Sequence, residues 1–221
     1  MVSRRNLLSL LFLSSCLPGT PGALFAQQAA SPGRRRRLVI LGDSITAGFG
    51  LERSQAYPAV LQRRLDSGGW NFEVVGAGVS GDTSAGGLRR VAWALGSGAD
   101  VFIVALGGND GLRGLPPSET EANLKGILDA VKAKCPNAVC IVAGMQMPPN
   151  LGADYVRAFN AVFPRVAAER HALLVPFLLE GVGGVEKLNQ ADLIHPTAEG
   201  QLRVAENVWK VLEAALPKPG V

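Results

Sequence analysis

The sequence predicts an α/β fold: a parallel sheet covered on both faces by helices. Three observations carry this. Short runs apolar throughout, such as Leu38-Val39-Ile40-Leu41 and residues 101–106, read as strands buried on both faces. Between them lie segments with apolar residues three and four apart, the helical period. The two kinds alternate along the chain, the pattern of βα units and a parallel sheet.

The elements follow in order. Residues 38–41 are the first strand, ending in Gly42-Asp43-Ser44. Residues 56–65 have helical spacing through Tyr57, Val60, Leu61 and Leu65. A second strand covers 72–75, and residues 85–95 read as a helix despite Gly86 and Gly87. The third strand, 101–106, ends in Gly107-Gly108-Asn109-Asp110. Ser118-Glu119-Thr120-Glu121 is a capping pattern that opens a helix with Leu124, Ile127, Leu128 and Val131 on one face. Residues 139–143 form the fourth strand, and 153–170 a helix bent at Pro164. Residues 173–175 form the fifth strand, and 197–216 a long closing helix. No internal repeat is visible.

Length and composition fit this reading. The chain has 221 residues, enough for one domain with a sizeable core, and 48% of them are hydrophobic, which excludes a disordered chain. The formal charge of +4 misleads: six of the 22 basic residues precede residue 38, and no acidic residue precedes Asp43. From residue 38 onward the net charge is −2, so nucleic acid is not an expected partner.

Residues 1–30 read as an export signal. Arg4 and Arg5 precede a short apolar run, Leu7 to Leu13, too short to span a bilayer, so no membrane span is expected. Ser3-Arg4-Arg5-Asn6-Leu7-Leu8 resembles a twin-arginine signal, and Leu13-Ser14-Ser15-Cys16 a lipobox that would put a lipid anchor on Cys16. Both readings predict an exported protein, periplasmic or secreted. Residues 31–37 are a basic linker, and 38–221 the folded domain. Cys135 and Cys140 are spaced either for a small disulfide loop or as two separate thiols. No Cys/His cluster suggests a metal.

Three polar segments follow the first three strands: Gly42-Asp43-Ser44, Ser80-Gly81-Asp82 and Gly108-Asn109-Asp110. A parallel sheet gathers such segments at the carboxyl ends of its strands, where ligands bind. The chain has two histidines. His171, at a helix-to-strand turn, reads as structural. His195 lies in Asp192-Leu193-Ile194-His195-Pro196, where a carboxylate three residues earlier can fold back onto Nδ1 and fix the tautomer. Ser44, at a strand-to-helix turn, is the candidate nucleophile, although an N-cap serine looks the same. Gly81 and Asn109 can supply N–H donors to a developing oxyanion.

Leu41-Gly42-Asp43-Ser44, residues 79–84, residues 107–114 and Ile194-His195-Pro196 are four ordered blocks that resemble the SGNH (GDSL-type) hydrolases, near the acyl-CoA thioesterase I and arylesterase branch. The resemblance covers residues 37–216. It implies a flavodoxin-like three-layer α/β/α sandwich with a five-stranded parallel sheet, and hydrolysis of carboxylic esters or thioesters through an acyl-enzyme, without metal or cofactor. It makes Ser44 the nucleophile, His195 the base and Asp192 its partner. The N–H groups of Ser44 and Gly81 and the Asn109 side chain become the oxyanion hole. The expected substrate is a small-molecule or lipid ester with a short-to-medium acyl or aryl group, and the protein a monomer. Met145, Met147 and Pro148, after the fourth strand, are expected to border an acyl groove.

One departure stands out. Relatives carry Asn-Ala before the second block, where this chain has Gly76-Ala77. It creates a G-x-G-x-x-G run over residues 76–81 that imitates a dinucleotide fingerprint, but after the wrong strand and without the expected acid. A carbohydrate O-acetylesterase and a non-enzymatic exported binding protein are the alternatives.

Overall fold

A computed structural model describes residues 34–218, and the structure is that of the expected α/β class. The strands are β1 (Arg36–Gly42), β2 (Phe72–Gly78), β3 (Val101–Ala105), β4 (Val139–Ala143) and β5 (Leu173–Val175). The helices are α1 (Ser44–Ala47), α2 (Tyr57–Ser67), α3 (Ser84–Leu95), α4 (Gly108–Leu112), α5 (Pro117–Lys134), α6 (Ala153–Asn160), α7 (Val162–Glu169) and α8 (Ala198–Ala215). Among the described residues the sheet has five strands, all parallel, in the order β2-β1-β3-β4-β5. Helices α2 and α8 pack together, and α3, α5 and α7 form a second packed group. Because the strand order reverses between β1 and β3, the crevice above that pair is the expected ligand site.

The core explains why the strands read as unbroken apolar runs. Leu38 to Leu41 and Phe102 to Leu106 have no exposure. Amphipathic helices close over both faces through Tyr57, Leu61 and Leu65 from α2, Leu124, Ile127 and Val131 from α5, and Val204, Val208 and Leu212 from α8. No helix among the described residues is long and apolar enough to cross a membrane. The segment expected to be an export signal, with Cys16, lies outside the described residues.

Several boundaries differ from expectation. The first strand begins at Arg36, two residues early, because Arg37 is bound into the structure. Its N–H donates to Asp100 (2.8 Å) and its guanidinium to Leu95 O (2.8 Å). α5 begins at Pro117, not Ser118, with Pro116 in the capping position and no side-chain cap. A proline is well suited to the first helical position, where its missing N–H would have no intrahelical partner. The 153–170 helix is two helices, broken at Asn160–Ala161 and not at Pro164. A proline ring excludes the carbonyl four residues upstream, here that of Asn160, while Pro164 itself sits in the first turn of α7. Cys135 and Cys140 are free thiols, Cys135 accepting the Ala99 N–H at 3.3 Å.

The G-x-G-x-x-G run is divided: Gly76 and Gly78 are strand residues on β2, an edge strand, and Gly81 lies in the following turn at φ +78°. Gly78 is required by close approach. A Cβ there would collide with the Ala47 amide and lie 2.7 Å from Asp43 O, both backbone atoms of the segment that carries Ser44. At Gly76 a Cβ would meet only the Pro58 ring, at 3.2 Å. Gly78→Ala is therefore expected to cost about 2 kcal/mol or more by forcing α1 off the sheet, and Gly76→Ala less than about 1 kcal/mol. Urea denaturation of the two variants checks the contrast; equal losses would contradict it.

Candidate active site

The site stands at the carboxyl ends of β1, β2 and β3. Gly42 ends β1, and Asp43 caps α1, its Oδ1 accepting the Ile45 N–H at 3.0 Å. That cap fixes Ser44 as the first residue of a one-turn helix. The helix ends at Gly48, whose φ of +71° suits glycine.

The Ser44 Oγ lies 2.9 Å from His195 Nε2, and His195 Nδ1 lies 2.6 Å from Asp192 Oδ2. The Asp-x-x-His segment folds back as its spacing suggests. Asp192 Oδ1 accepts the N–H groups of both Ile194 and His195, each at 2.9 Å. The His195 N–H, the His195 side chain and then the Ile194 N–H all favour the carboxylate and hold Asp192 down at about 2. Asp192 is therefore ionised throughout the neutral range. Phe49 packs against the imidazole, with ring centroids 4.5 Å apart.

Across the crevice, the turn after β2 is fastened from two sides. Arg113 donates to Gly81 O (2.9 Å), and Arg90 donates to Asp82 Oδ2 (2.6 Å), Ala77 O (2.9 Å) and Gly42 O (2.7 Å). Arg90 thereby ties the ends of β1 and β2 to the turn that carries Gly81. The Asn109 amide donates to Asp82 O at 2.9 Å and reaches Asp43 Oδ2 at 3.5 Å. Asn109 is set by α4, which Asp110 anchors: the buried Asp110 carboxylate accepts the Ser84 N–H at 2.8 Å and the hydroxyls of Ser84 and, at 3.4 Å, Thr120. The N–H groups of Ser44 and Gly81 donate to no acceptor among the described residues.

Two glutamines join the two halves. Gln201 of α8 accepts the Tyr57 N–H (2.8 Å) and donates to Ile45 O (3.1 Å), which ties the closing helix to α1. Gln190 donates to Phe49 O (2.7 Å) and Pro196 O (3.1 Å), and its N–H donates to His195 O (2.7 Å).

Sequence reasoning did not find Arg90, Gln190, Gln201 or Phe49. Arg90 left a signal, since it shares a helical stripe with Gly86 and Ala94; the two glutamines left none. Nor are Met145 and Met147 an open groove as expected. Both are buried with the core, Met147 packing on Gly111, and only Pro148 of the three is exposed. The exposed apolar residues near the site are instead Phe49, Val79, Leu112, Leu193 and Ile194. His171 lies at the α7-to-β5 turn, away from the catalytic-end segments.

This fold and constellation are those of a serine-type acyl hydrolase. Residues 40–203 match the GDSL-like lipase/acylhydrolase family, and the chain belongs to it. It is a hydrolase of carboxylic esters or thioesters. The chain is 46% identical over 207 residues to esterase TesA of Pseudomonas aeruginosa, a match covering 93% of this chain and 98% of that protein. It is 40% identical over 177 residues to thioesterase 1/protease 1/lysophospholipase L1 of Escherichia coli, covering 80% and 83%. The crystal structure of TesA superposes with a TM-score of 0.78 at 45% identity, covering 82% of this chain and all of that one.

Burial pushes the Asp43 carboxyl up to about 6 from its ordinary 3.8, a rise that the Ile45 N–H only partly offsets. The folded state therefore binds this proton more tightly than the unfolded state. Its contribution to stability is fully present below pH 3.8 and is lost as pH rises through 6. Relative to Asp43→Asn, which does not titrate, the wild type is expected to lose about 2 kcal/mol of stability between pH 4 and pH 7. Urea unfolding of both proteins across that range measures the difference; a flat difference would contradict a desolvated Asp43.

Proposed function

We propose that Ser44 is the nucleophile of this hydrolase, His195 its general base and acid, and Asp192 the residue that orients His195. The observation that carries this reading is the unbroken relay from Ser44 Oγ through both imidazole nitrogens to the Asp192 carboxylate, at 2.9 and 2.6 Å. A carboxylate on Nδ1 leaves Nε2 free to accept the serine proton, and it stabilises the imidazolium that forms.

The reaction then runs in two halves. Ser44 Oγ bonds to the carbonyl carbon while its proton moves to His195 Nε2. The carbonyl oxygen becomes an oxyanion, for which the N–H groups of Ser44 and Gly81 and the Asn109 amide are the donors. One such donor contributes about 3 to 4 kcal/mol in the transition state. The carbon–oxygen or carbon–sulfur bond of the ester breaks, the leaving group takes the His195 proton, and an acyl-Ser44 remains. Water, deprotonated by His195, then repeats the addition and releases the acid.

Exposed apolar side chains on the segments that carry the site favour short-to-medium acyl or aryl esters over acetylated sugars. The basic start and apolar run of residues 4–13 support an exported enzyme that meets its esters outside the cytoplasm.

Hydrolysis of p-nitrophenyl esters from acetate to palmitate tests the reading. Ser44→Ala and His195→Ala should each lose about 10⁴-fold or more in kcat/KM, and the double variant little beyond either, because the residues act as a unit. Multiplicative losses, or activity that survives Ser44→Ala, would contradict the assignment.

A further inference from the structure

Leu193 occupies a position that disfavours it twice. Its φ is +58°, in the left-handed region that glycine or asparagine adopts at much lower cost than leucine. The residue is 56% exposed, so little core burial offsets the strain. The backbone demand is set by the catalytic turn. Leu193 N–H donates to Gln190 O (2.9 Å), and the next two amides converge on Asp192 Oδ1. A residue that gains little from the fold at such a place points to a use outside it.

Its neighbours indicate that use. Five of the large exposed apolar residues flank the site segments: Phe49, Leu193 and Ile194 on the side of His195, Val79 and Leu112 on the side of Gly81 and Asn109. The two sides meet different halves of an ester. His195 Nε2 must deliver a proton to the leaving-group oxygen or sulfur, so the leaving group lies beside the imidazole. Phe49 already covers that ring.

We propose that Phe49, Leu193 and Ile194 form a subsite for an apolar leaving group, an aryl or long-chain alcohol or thiol, and that Leu193 is kept in a strained conformation for this contact. The subsite rests on the Ser44–His195 reading of catalysis and extends it from the reaction to the substrate.

The test holds the acyl group constant. Wild type should hydrolyse 2-naphthyl acetate with higher kcat/KM than phenyl acetate, and Leu193→Asn should lower that ratio about fivefold, the scale of a lost apolar contact in a pocket. The p-nitrophenyl acyl-chain series should keep its wild-type profile in the variant. Because asparagine accepts the left-handed backbone, the melting temperature should equal or exceed that of wild type; Leu193→Gly should shift the ratio in the same way. An unchanged ratio, a flattened acyl series, or a melting temperature lowered by several degrees would each overturn the subsite, the last by making Leu193 structural. Hydrolysis that survives Ser44→Ala would remove the catalytic reading and the subsite with it. A flat ratio with Ser44 dependence intact removes the subsite alone.

Discussion

The hydrogen bond between Ser44 Oγ and His195 Nε2 joins residues 151 apart in sequence, and much of the remaining structure holds its two ends together. One end is fixed by β1 and the cap that Asp43 places on α1. The other is fixed by the Asp192 turn and the start of α8. Neither end positions itself against the other. Gln201, 1% exposed, and Gln190 span the gap through backbone groups on both sides. An amide is suited to this work because it carries a donor and an acceptor without a charge to desolvate.

Charge is managed by the same economy on the opposite wall. Three aspartates lie at the strand ends, each with a different solution. Asp82 is paired with Arg90, whose three acceptors bind the strand ends and the Gly81 turn into one unit. Asp110 collects neutral N–H and hydroxyl donors from Ser84 and Thr120 and so anchors α4 beneath Asn109. Among the described residues Asp43 has no cation beside it, only the Ile45 N–H and the more distant Asn109 amide, and burial pushes its carboxyl up to about 6. These groups tie the wall together through hydrogen bonds of its own, the arrangement that the proposed oxyanion site requires.

Much of this was legible in the sequence. The strands stood out because a parallel sheet buried on both faces demands unbroken apolar runs, and the βα alternation then placed Ser44, Gly81 and Asn109 at one edge. Asp192 and His195 were legible because their fold-back is local. The misreadings have physical causes. Pro164 breaks its helix four residues upstream, through the Asn160 carbonyl, and Pro116-Pro117 starts α5 without the cap that Ser118 suggested. Met145 and Met147 are buried although they follow a strand into a loop; Met147 is covered by α4 through Gly111 and held to α6 through Asn160, elements from elsewhere in the chain. Gln201 was invisible because its partners are backbone groups of Tyr57 and Ile45, and Gln190 because the group it reaches across to is Phe49 O, all of them remote in sequence.

The relay is tested most directly by trapping it. Incubation with a p-nitrophenyl alkylphosphonate, followed by intact mass and peptide mapping, asks which side chain becomes covalently bound. One phosphonyl group per chain, on the peptide containing Ser44 and strongly slowed in His195→Ala, is the predicted result. A modification on any other residue, or labelling of Ser44 at the same rate without His195, would contradict the account.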